Sequence, residues 1–482
     1  MTRSASVLAA GAAAAISGLV WLGSQVTVTG QSPAPTFSEH VAPILFKNCA
    51  VCHRPGDAAP FSVLTYATVK EYGGEIAEAT RERYMPPWKP GPSDYPFVGD
   101  RRLTDAEIDT IQRWVKADMP QGDPKKLPPA PVFNDDWRLG KPDLIVKMSE
   151  AFTVPADGRD VYRNFVVPLN LTEDKWVKVV DYNPSAKPVV HHAIFTTDAT
   201  GAARKLDADD PGPGFGGVMG ASGLAGRNGL QDIIARARGN AAEVAPAPAR
   251  GGGPIGGWAP GGMARPLPDD LAFLVPKGSD LVVSTHFHPN GQEMKEQSTF
   301  AVYFAKQPPS KGFAGIQLPP AFGAFSGLNI APGNANFVIT DSFVVPSAVR
   351  AFGAGAHAHY LGKDMLLTAT FPNGTKKVLL HIPDWDLNWQ GTYQFKDFID
   401  LPAGTRLDVR ISYDNSKANP HQPSDPPVRV TFGEQSTNEM GSVGLIVVPG
   451  APGSLVTLKT ALDKHLRETV LKSPLLRGRG GR

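Results

Sequence analysis

The chain has 482 residues, of which 48 are basic and 46 acidic, for a net charge of +2. This balance gives no support to a nucleic-acid-binding protein, whose domain usually carries a basic excess. Hydrophobic residues make up 41% and charged residues 20% of the chain, which excludes a disordered polyelectrolyte, and the length corresponds to roughly three domains at about 150 residues each.

The N-terminal residues have the pattern of an export signal. Arg3 is followed by an apolar run from Val7 to Leu22, which predicts a secretory signal peptide within residues 1–30. No clean small-x-small cleavage site follows Trp21-Leu22, so an uncleaved membrane anchor remains an alternative, although the run is short for a spanning helix. In either case we expect a periplasmic or otherwise exported protein.

The only two cysteines lie in the sequence Cys49-Ala-Val-Cys52-His53. In a C-x-x-C-H sequence the two thiols form thioethers to haem vinyl groups, and the adjacent imidazole ligates the iron. The alternatives are a redox dithiol or half of a zinc site, but the chain has no second cysteine pair to complete a zinc site. The motif therefore predicts one covalently attached haem c.

Capping boxes predict helices on both sides of this motif. Thr36-Phe37-Ser38-Glu39 would open one helix, and Thr104-Asp105-Ala106-Glu107 would open a second. Together with the C-x-x-C-H motif, they resemble a class I cytochrome c over residues 36–125, which implies a small all-α domain.

The sixth iron ligand of such a haem is usually a methionine or a histidine. Met85 lies between the two predicted helices, in Tyr84-Met85-Pro86-Pro87-Trp88, where the prolines favour an extended loop. We predict Met85 as this ligand, with Met119 as the alternative and His40 as a surface residue.

After a Pro- and Lys-rich linker over residues 126–138, the pattern changes to short β-rich runs. The runs recur as far as Val448, and the 50 glycines and 46 prolines of the chain fit turn-rich β structure. A sandwich or jelly roll is the expected architecture. Residues 207–268 form a Gly- and Pro-rich insertion with one predicted helix near 230–238, and residues 451–482 form a short helix and a basic tail.

Six of the 11 histidines fall into three tight clusters, namely His191-His192, His286-Phe-His288 and His357-Ala-His359. Short spacings of this kind are typical of metal ligands.

The three clusters differ in what a strand would do with them. His357 and His359 would project from the same face of a strand. His191 and His192 would point to opposite faces, so they can bind one metal only where the strand is irregular, for example at a bulge. His286 and His288 could both face one side of a strand; alternatively one of them binds the metal and the other orients it or faces solvent, with His288 as the candidate for this second role.

Four motifs occur in the order found in one enzyme family. They are Val190-His191-His192-Ala193, Thr285-His286-Phe-His288-Pro, His357-Ala-His359-Tyr-Leu-Gly-Lys363 and Ser436-Thr-Asn-Glu-Met440. Over residues 135–450, apart from the insertion, the chain resembles the copper type II, ascorbate-dependent monooxygenases, which include the peptidylglycine α-hydroxylating and dopamine β-hydroxylating enzymes.

The resemblance implies two all-β sandwich domains, jelly-roll-like, at residues 139–306 and 307–450, each carrying one copper ion. His191, His192 and His286 would bind the electron-transfer copper. His357, His359 and Met440 would bind the copper at which oxygen reacts. A thioether beside two imidazoles favours Cu(I) over zinc, in agreement with this assignment.

The resemblance also implies partners and limits them. The expected partners are dioxygen, a small organic substrate and an electron donor, either ascorbate or a periplasmic redox protein. The expectation that the haem passes electrons to copper comes only from the fusion of the haem segment to the β region. Peptide-amidating members carry an arginine and a tyrosine where this chain has Gly355 and Gly444, so peptide amidation is not expected.

Three other functions fit parts of the sequence. A non-catalytic copper and haem electron-transfer or copper-binding protein would have the same ligands. A zinc hydrolase would need an open zinc position and a general base, and Met440 speaks against it. A structural sandwich with incidental histidines does not explain the clustering.

Overall fold

The computed structural model describes residues 33–57, 59–133, 137–217, 229–239, 253–259 and 262–477. The predicted signal peptide or anchor lies outside these ranges. Within them, no helix has the length and apolar character needed to cross a membrane.

Three sheets use the strands between residues 144 and 304. The strands are β1 (Leu144–Lys147), β2 (Phe152–Val154), β3 (Val161–Pro168), β4 (Lys175–Asn183), β5 (Val190–Asp198), β6 (Phe215–Gly216), β7 (Pro254–Trp258), β8 (Phe273–Val275), β9 (Asp280–Phe287), β10 (Met294–Glu296) and β11 (Thr299–Phe304). The strand orders of the three sheets are β6-β3-β9-β5-β7, β1-β11-β4-β8 and β10-β2.

Three further sheets use the strands between residues 314 and 449. The strands are β12 (Ala314–Leu318), β13 (Asn329–Ile330), β14 (Phe337–Val344), β15 (Val349–Ala358), β16 (Gly362–Thr370), β17 (Lys376–Ile382), β18 (Thr392–Leu401), β19 (Arg406–Tyr413), β20 (Val430–Thr431) and β21 (Gly441–Pro449). The strand orders of the three sheets are β12-β21-β15-β18, β14-β19-β16-β17 and β13-β20.

The helices lie mainly at the two ends of the chain. They are α1 (Ala42–Asn48), α2 (Tyr66–Glu71), α3 (Gly73–Arg81), α4 (Asp105–Lys116), α5 (Ala202–Asp209), α6 (Gly229–Ala237), α7 (Ser454–Lys472) and α8 (Pro474–Arg477). A π-helical turn, Phe37–Val41, precedes α1, and single 3-10 turns occur at Pro124–Lys126, Lys187–Val189, Pro320–Gly323 and Leu387–Trp389.

Each set of strands encloses its own apolar core, because alternate residues of a strand face the same side. Along β5, for example, Ala193 and Phe195 face inward and are buried with Val283 of the neighbouring β9. In the second set, Leu367 of β16 and Val409 of β19 are buried in the same core as Leu445 of β21.

The predicted separate all-α cytochrome domain is wrong. Helices account for only 21% of the described structure, and no small all-α cytochrome domain is evident at its N-terminal end. After α3 the chain leaves the helices and runs over the second strand set, where Trp88, Tyr95 and Phe97 pack against its core. Phe97 pairs with Phe395 of β18 in an antiparallel bridge.

The local signals at the two capping boxes had different outcomes. At α4, Thr104 and Glu107 form the reciprocal capping box. At Thr36 the side chain makes no cap, and the π-helical turn Phe37–Val41 follows in place of the predicted start of an α-helix. Helix starts of this kind are local features, so they predict a helix but not whether the helix belongs to a separate domain.

The predicted pair of all-β sandwiches describes the β region only in part. Two of the six sheets have two strands each, and α5 and α6 fall between strands of the first set. Helix α7 packs on the second set, where Leu458 is fully buried in the core. The described portion of the chain is therefore mainly β, with several sheets and attached helices.

Candidate metal centre

The first histidine cluster lies where β5 begins and β9 ends. Residues of β5 and β9 pair in an antiparallel register in which His192 lies opposite His286. The register shifts between Val190 and His192. This irregularity is what the adjacent pair requires, because an extra residue in a strand redirects one side chain to the face of its neighbour.

The three imidazoles of this cluster converge on one point. One ligand atom from each of His191, His192 and His286 lies within 4.8 Å of the others, and the Nδ1 atoms of His191 and His192 are 3.0 Å apart. Nitrogens bound to one metal at about 2.0–2.1 Å in tetrahedral geometry lie about 3.3 Å apart. The cluster therefore has the dimensions of a metal site.

Neighbouring side chains contact the Nε2 atom of two of these rings. His191 Nε2 lies 3.2 Å from Asn388 Oδ1, and His286 Nε2 lies 3.0 Å from Asp160 Oδ2. Partners of this kind fix which ring nitrogen is left for a metal. In both rings that nitrogen is Nδ1.

His286 provides a direct test of whether a metal fits. Its side chain is 3% exposed, and Nδ1, the nitrogen that the Asp160 contact leaves over, makes no hydrogen bond. A buried polar nitrogen without a partner carries a free-energy cost that a metal ion would remove. The donor set of three imidazoles suits copper as well as zinc.

The electrostatics of the cluster favour neutral rings at His191 and His192. Burial lowers the pKa of His191 to about 4, with a further contribution from His286. Burial and the neighbouring imidazoles also hold the pKa of His192 well below its usual range. Because the neutral imidazole is the form that binds metals, these histidines are in the ligand state at neutral pH.

The second cluster lies at the end of β15, opposite the start of β21. His357 pairs with Ser442 and Ala358 with Gly441, so one further step of this register brings His359 opposite Met440. The rings of His357 and His359 are 5.2 Å apart, and both His359 and Met440 are buried. Two imidazoles and a thioether are thus collected at one edge of the sheet.

In this cluster the Nδ1 atoms are the ones that are held. His357 Nδ1 lies 2.7 Å from Gln390 Oε1, and His359 Nδ1 lies 3.2 Å from the carbonyl oxygen of Asn438. Nε2 is therefore the nitrogen that each ring offers to a metal. Burial lowers the pKa of His359 to about 3 and also lowers that of His357, so both rings are neutral at neutral pH.

The two clusters lie within electrostatic range of each other across the boundary between the strand sets. Positive charge on His357 or His359 lowers the pKa of His192. A direct contact also crosses this boundary, since Ser436 donates a hydrogen bond to Asp160. The loop before β3 thereby contacts the segment that leads to Met440.

The C-x-x-C-H segment follows α1 in a helical turn. The backbone N–H groups of Cys52 and His53 both donate to the carbonyl of Cys49, at 3.1 and 2.9 Å. Both thiols are free, and His53 Nδ1 lies 3.2 Å from the carbonyl oxygen of Phe61. These residues fit a covalent haem, because the thiols are available and His53 Nε2 is left for iron.

The residues predicted for the sixth iron position lie in different places. Met85 is half-buried after α3, and its N–H donates to the carbonyl of Ala79. Met119 packs against Gly73 in the helical core, and His40 is exposed. No contact within the described ranges joins Met85 to His53, so Met85 stays a prediction.

Two glycines mark the difference from the peptide-amidating enzymes. A Cβ atom on Gly444 would lie 2.8 Å from the carbonyl oxygen of Ile316 on β12, which leaves no space for a tyrosine. A Cβ on Gly355 would lie 3.5 Å from the carbonyl oxygen of Gly391, an ordinary contact. The backbone of β12 therefore excludes any side chain at residue 444.

Sequence reasoning did not single out several residues that contact the clusters. Asn388, Gln390 and Asp160 have no motif of their own, and nothing in the sequence pointed to them. Glu439 lies inside the motif that carries Met440, so its position beside a predicted ligand was the available signal. His288 lies 2.8 Å from the same Asp160 carboxylate that contacts His286, and it is largely exposed.

No protein-family model matches the chain, and no curated protein matches it. Among solved structures, the VP2 subviral particle of infectious bursal disease virus is similar over 65% of this chain and 73% of the viral chain, with 8% identity and a TM-score of 0.18. A two-domain protein of unknown function from Bacteroides fragilis is similar over 62% of this chain and 94% of that chain, with 10% identity and a TM-score of 0.15. Similarities this weak carry no argument about fold or function.

Proposed function

We propose that the chain is an exported copper-dependent monooxygenase, which hydroxylates a C–H bond of a small organic substrate with dioxygen. Its motifs resemble those of the copper type II, ascorbate-dependent monooxygenases. The observation that carries the proposal is the convergence of His191, His192 and His286, whose ligand atoms lie within 4.8 Å of one another. The lowered pKa values of His191 and His192 keep those two rings neutral, which is the form that binds a metal.

The second cluster supplies the reason for choosing copper over zinc. His357, His359 and Met440 combine two imidazoles with a soft thioether, and this donor set favours Cu(I). A copper bound there would supply the one-electron chemistry that the use of dioxygen requires. The chain's own residues orient the ligands, because Asn388 contacts Nε2 of His191 and Gln390 contacts Nδ1 of His357.

The N-terminal part would supply electrons. Cys49 and Cys52 would attach the haem, His53 would ligate the iron and Met85 would take the opposite side. The segment that follows the motif contacts the turn before β5, where Lys187 Nζ donates to the carbonyl oxygen of Gly56 at 3.2 Å. Ascorbate or a periplasmic redox protein would be the donor outside the chain.

Metal analysis of the exported, haem-loaded protein, paired with copper EPR, tests the proposal. We expect two coppers and one iron per chain, with two type 2 copper signals. His192→Ala should remove one signal and His357→Ala the other. His421→Ala is the matched control, because this histidine lies in neither cluster, and it should leave both signals intact.

The same measurement separates the competing functions. Zinc in place of copper would contradict the proposal and favour a hydrolase. Two coppers without oxygen uptake for any substrate in a broad screen would instead favour a non-catalytic electron-transfer or copper-binding protein. Iron without a second metal would leave the haem assignment intact and overturn the copper assignment.

A further inference from the structure

The loop between β17 and β18, residues 383–391, contacts histidines of both clusters. Asn388 Oδ1 lies 3.2 Å from His191 Nε2, and Gln390 Oε1 lies 2.7 Å from His357 Nδ1. Trp385 Nε1 donates to the backbone carbonyl of His359 at 3.1 Å. Three proposed ligands, from two strand sets, are thus held by side chains within one short loop.

The loop itself is held by the N-terminal part of the chain. Lys89 Nζ lies 3.1 Å from Asp384 and 3.8 Å from Asp386, and its side chain is only 10% exposed. Asp386 is buried and accepts the backbone N–H of Asn388 at 2.9 Å. The ion pair therefore acts on the carboxylate that fixes the turn from which Asn388 projects.

A second contact joins the same two segments. The rings of Tyr84 and Trp389 meet edge to face with their centroids 6.0 Å apart. Met85 lies in the segment from Tyr84 to Lys89, and Trp389 lies between Asn388 and Gln390 in the sequence. A continuous line of contacts therefore runs from the segment around Met85 to both histidine clusters.

We propose that the β17–β18 loop is a positioning element that sets the orientation and tautomer of ligands in both metal sites, and that Lys89 couples this loop to the segment around Met85. The proposal rests on the proposed function, because it assigns roles relative to those metal sites. Asn388, Gln390 and Lys89 are positioning residues, since they act through the histidines or through the loop.

The contacts specify opposite tautomers at the two sites. An amide oxygen can only accept a hydrogen bond, so Asn388 requires the proton of His191 on Nε2 and Gln390 requires the proton of His357 on Nδ1. The lone pair is left on Nδ1 of His191 and on Nε2 of His357. A shift of the loop would disturb both rings together.

Nitrogen-15 NMR of the histidine rings in the metal-free, full-length protein tests the tautomers. We expect the Nε2–H form for His191 and the Nδ1–H form for His357. Gln390→Ala should mix the tautomers of His357 and leave His191 unchanged, and Asn388→Ala should do the reverse. Unchanged ring shifts in both variants would overturn the proposal, whether or not copper binds.

Copper EPR of the holoprotein tests the coupling through Lys89. Lys89→Met should change the hyperfine splitting of both copper signals while the copper content stays at two, and Lys89→Arg should restore the splitting. Lys377→Met is the matched control, because Lys377 also forms an ion pair between the N-terminal part and the second strand set, with Asp94 at 3.0 Å, but outside this loop.

The outcomes distinguish this inference from the proposed function. Two copper signals that Lys89→Met leaves unaltered would contradict the coupling and leave the monooxygenase proposal standing. A wild-type protein that binds no copper would contradict the proposed function, while the ring tautomers in the metal-free protein would still decide the positioning role of the loop.

Discussion

The carboxylate of Glu439 accepts a hydrogen bond from the backbone N–H of His359, with an N···O distance of 3.0 Å. The same carboxylate accepts the N–H groups of Leu361 at 2.6 Å and Met440 at 3.1 Å. Glu439 is fully buried. Burial raises its pKa to about 8, although the backbone donors act in the opposite direction. One side chain therefore fixes the backbone on both sides of the second cluster.

Glu439→Ala should destabilise the protein and weaken copper binding at the second site. Each buried backbone N–H left without an acceptor costs about 1–3 kcal/mol, and the substitution removes the acceptor of three of them. Urea unfolding measures the free energy, and copper content in a His192→Ala background reports the second site alone. Glu434→Ala, at an exposed position of the same segment, is the control. Full copper occupancy in the Glu439→Ala variant would contradict this role.

Asp160→Asn should weaken the first site and spare the second. Burial raises the pKa of the Asp160 carboxyl, but its contacts with His286 and Ser436 outweigh this effect and hold the pKa well below its usual range. Loss of a carboxylate behind a metal-bound histidine typically lowers affinity 10–100-fold. Competition with a copper chelator measures the change. Asp157→Asn, three residues earlier and exposed, should match the wild type.

Met440→Leu should lower the affinity of the second site for Cu(I) far more than its affinity for Cu(II). The two side chains are similar in size, so the fold should lose less than about 1.5 kcal/mol, whereas the soft thioether ligand is lost. Chelator competition under reducing and oxidising conditions gives the two affinities. Met365→Leu, in the buried core of β16, is the control. Equal losses for the two oxidation states would argue against a thioether ligand.

Met85→Ala should change the low-spin spectrum of the haem-loaded protein. Removal of an axial thioether leaves the iron with a weaker or exchangeable sixth ligand. Met119→Ala is the matched variant: Met119 packs against Gly73 in the helical core, so its loss should lower stability without altering the spectrum. The reverse pattern would move the axial assignment to Met119.

Asp94→Asn should loosen the N-terminal segment from β17 at neutral pH but not in acid. Hydrogen bonds from the Val378 N–H and then Lys377 lower the pKa of Asp94. A depressed pKa in the folded state stabilises the protein above the unfolded pKa of about 3.9, and this stabilisation is lost as pH falls through the folded value. The melting temperatures of variant and wild type should therefore differ at pH 7, begin to converge below about pH 3.9, and coincide once the pH lies below the folded-state pKa of Asp94.

Asp109→Asn serves as the control for this pH series. Asp109 lies on the exposed side of α4 and pairs with Arg113 of the same helix at 3.6 Å. Exposed pairs of this kind contribute little to stability, so its melting temperature should follow the wild type at every pH. A gap between Asp94→Asn and wild type that persists in acid would show that the ion pair does not anchor the segment.

The sequence by itself determined which side chains are candidates for binding haem and metal ions, and where the β region begins. The C-x-x-C-H motif, the three histidine clusters and the β character of the chain after residue 139 depend on residue type and on short spacings, which are local properties. The need for an irregular strand at His191 and His192 also followed from the two-residue period of a strand. The β5–β9 register shift shows how the fold meets that need.

The tertiary structure decided what surrounds those groups. Asn388 and Gln390 meet histidines that are distant along the chain, and no local pattern encodes a contact across such a separation. The prediction of a separate helical domain was wrong for the same reason, because Trp88, Tyr95 and Phe97 pack against strands almost 300 residues later in the chain. Helix caps and strand periods are set by neighbouring residues, whereas the burial of an aromatic side chain depends on which distant surface the whole chain brings to it.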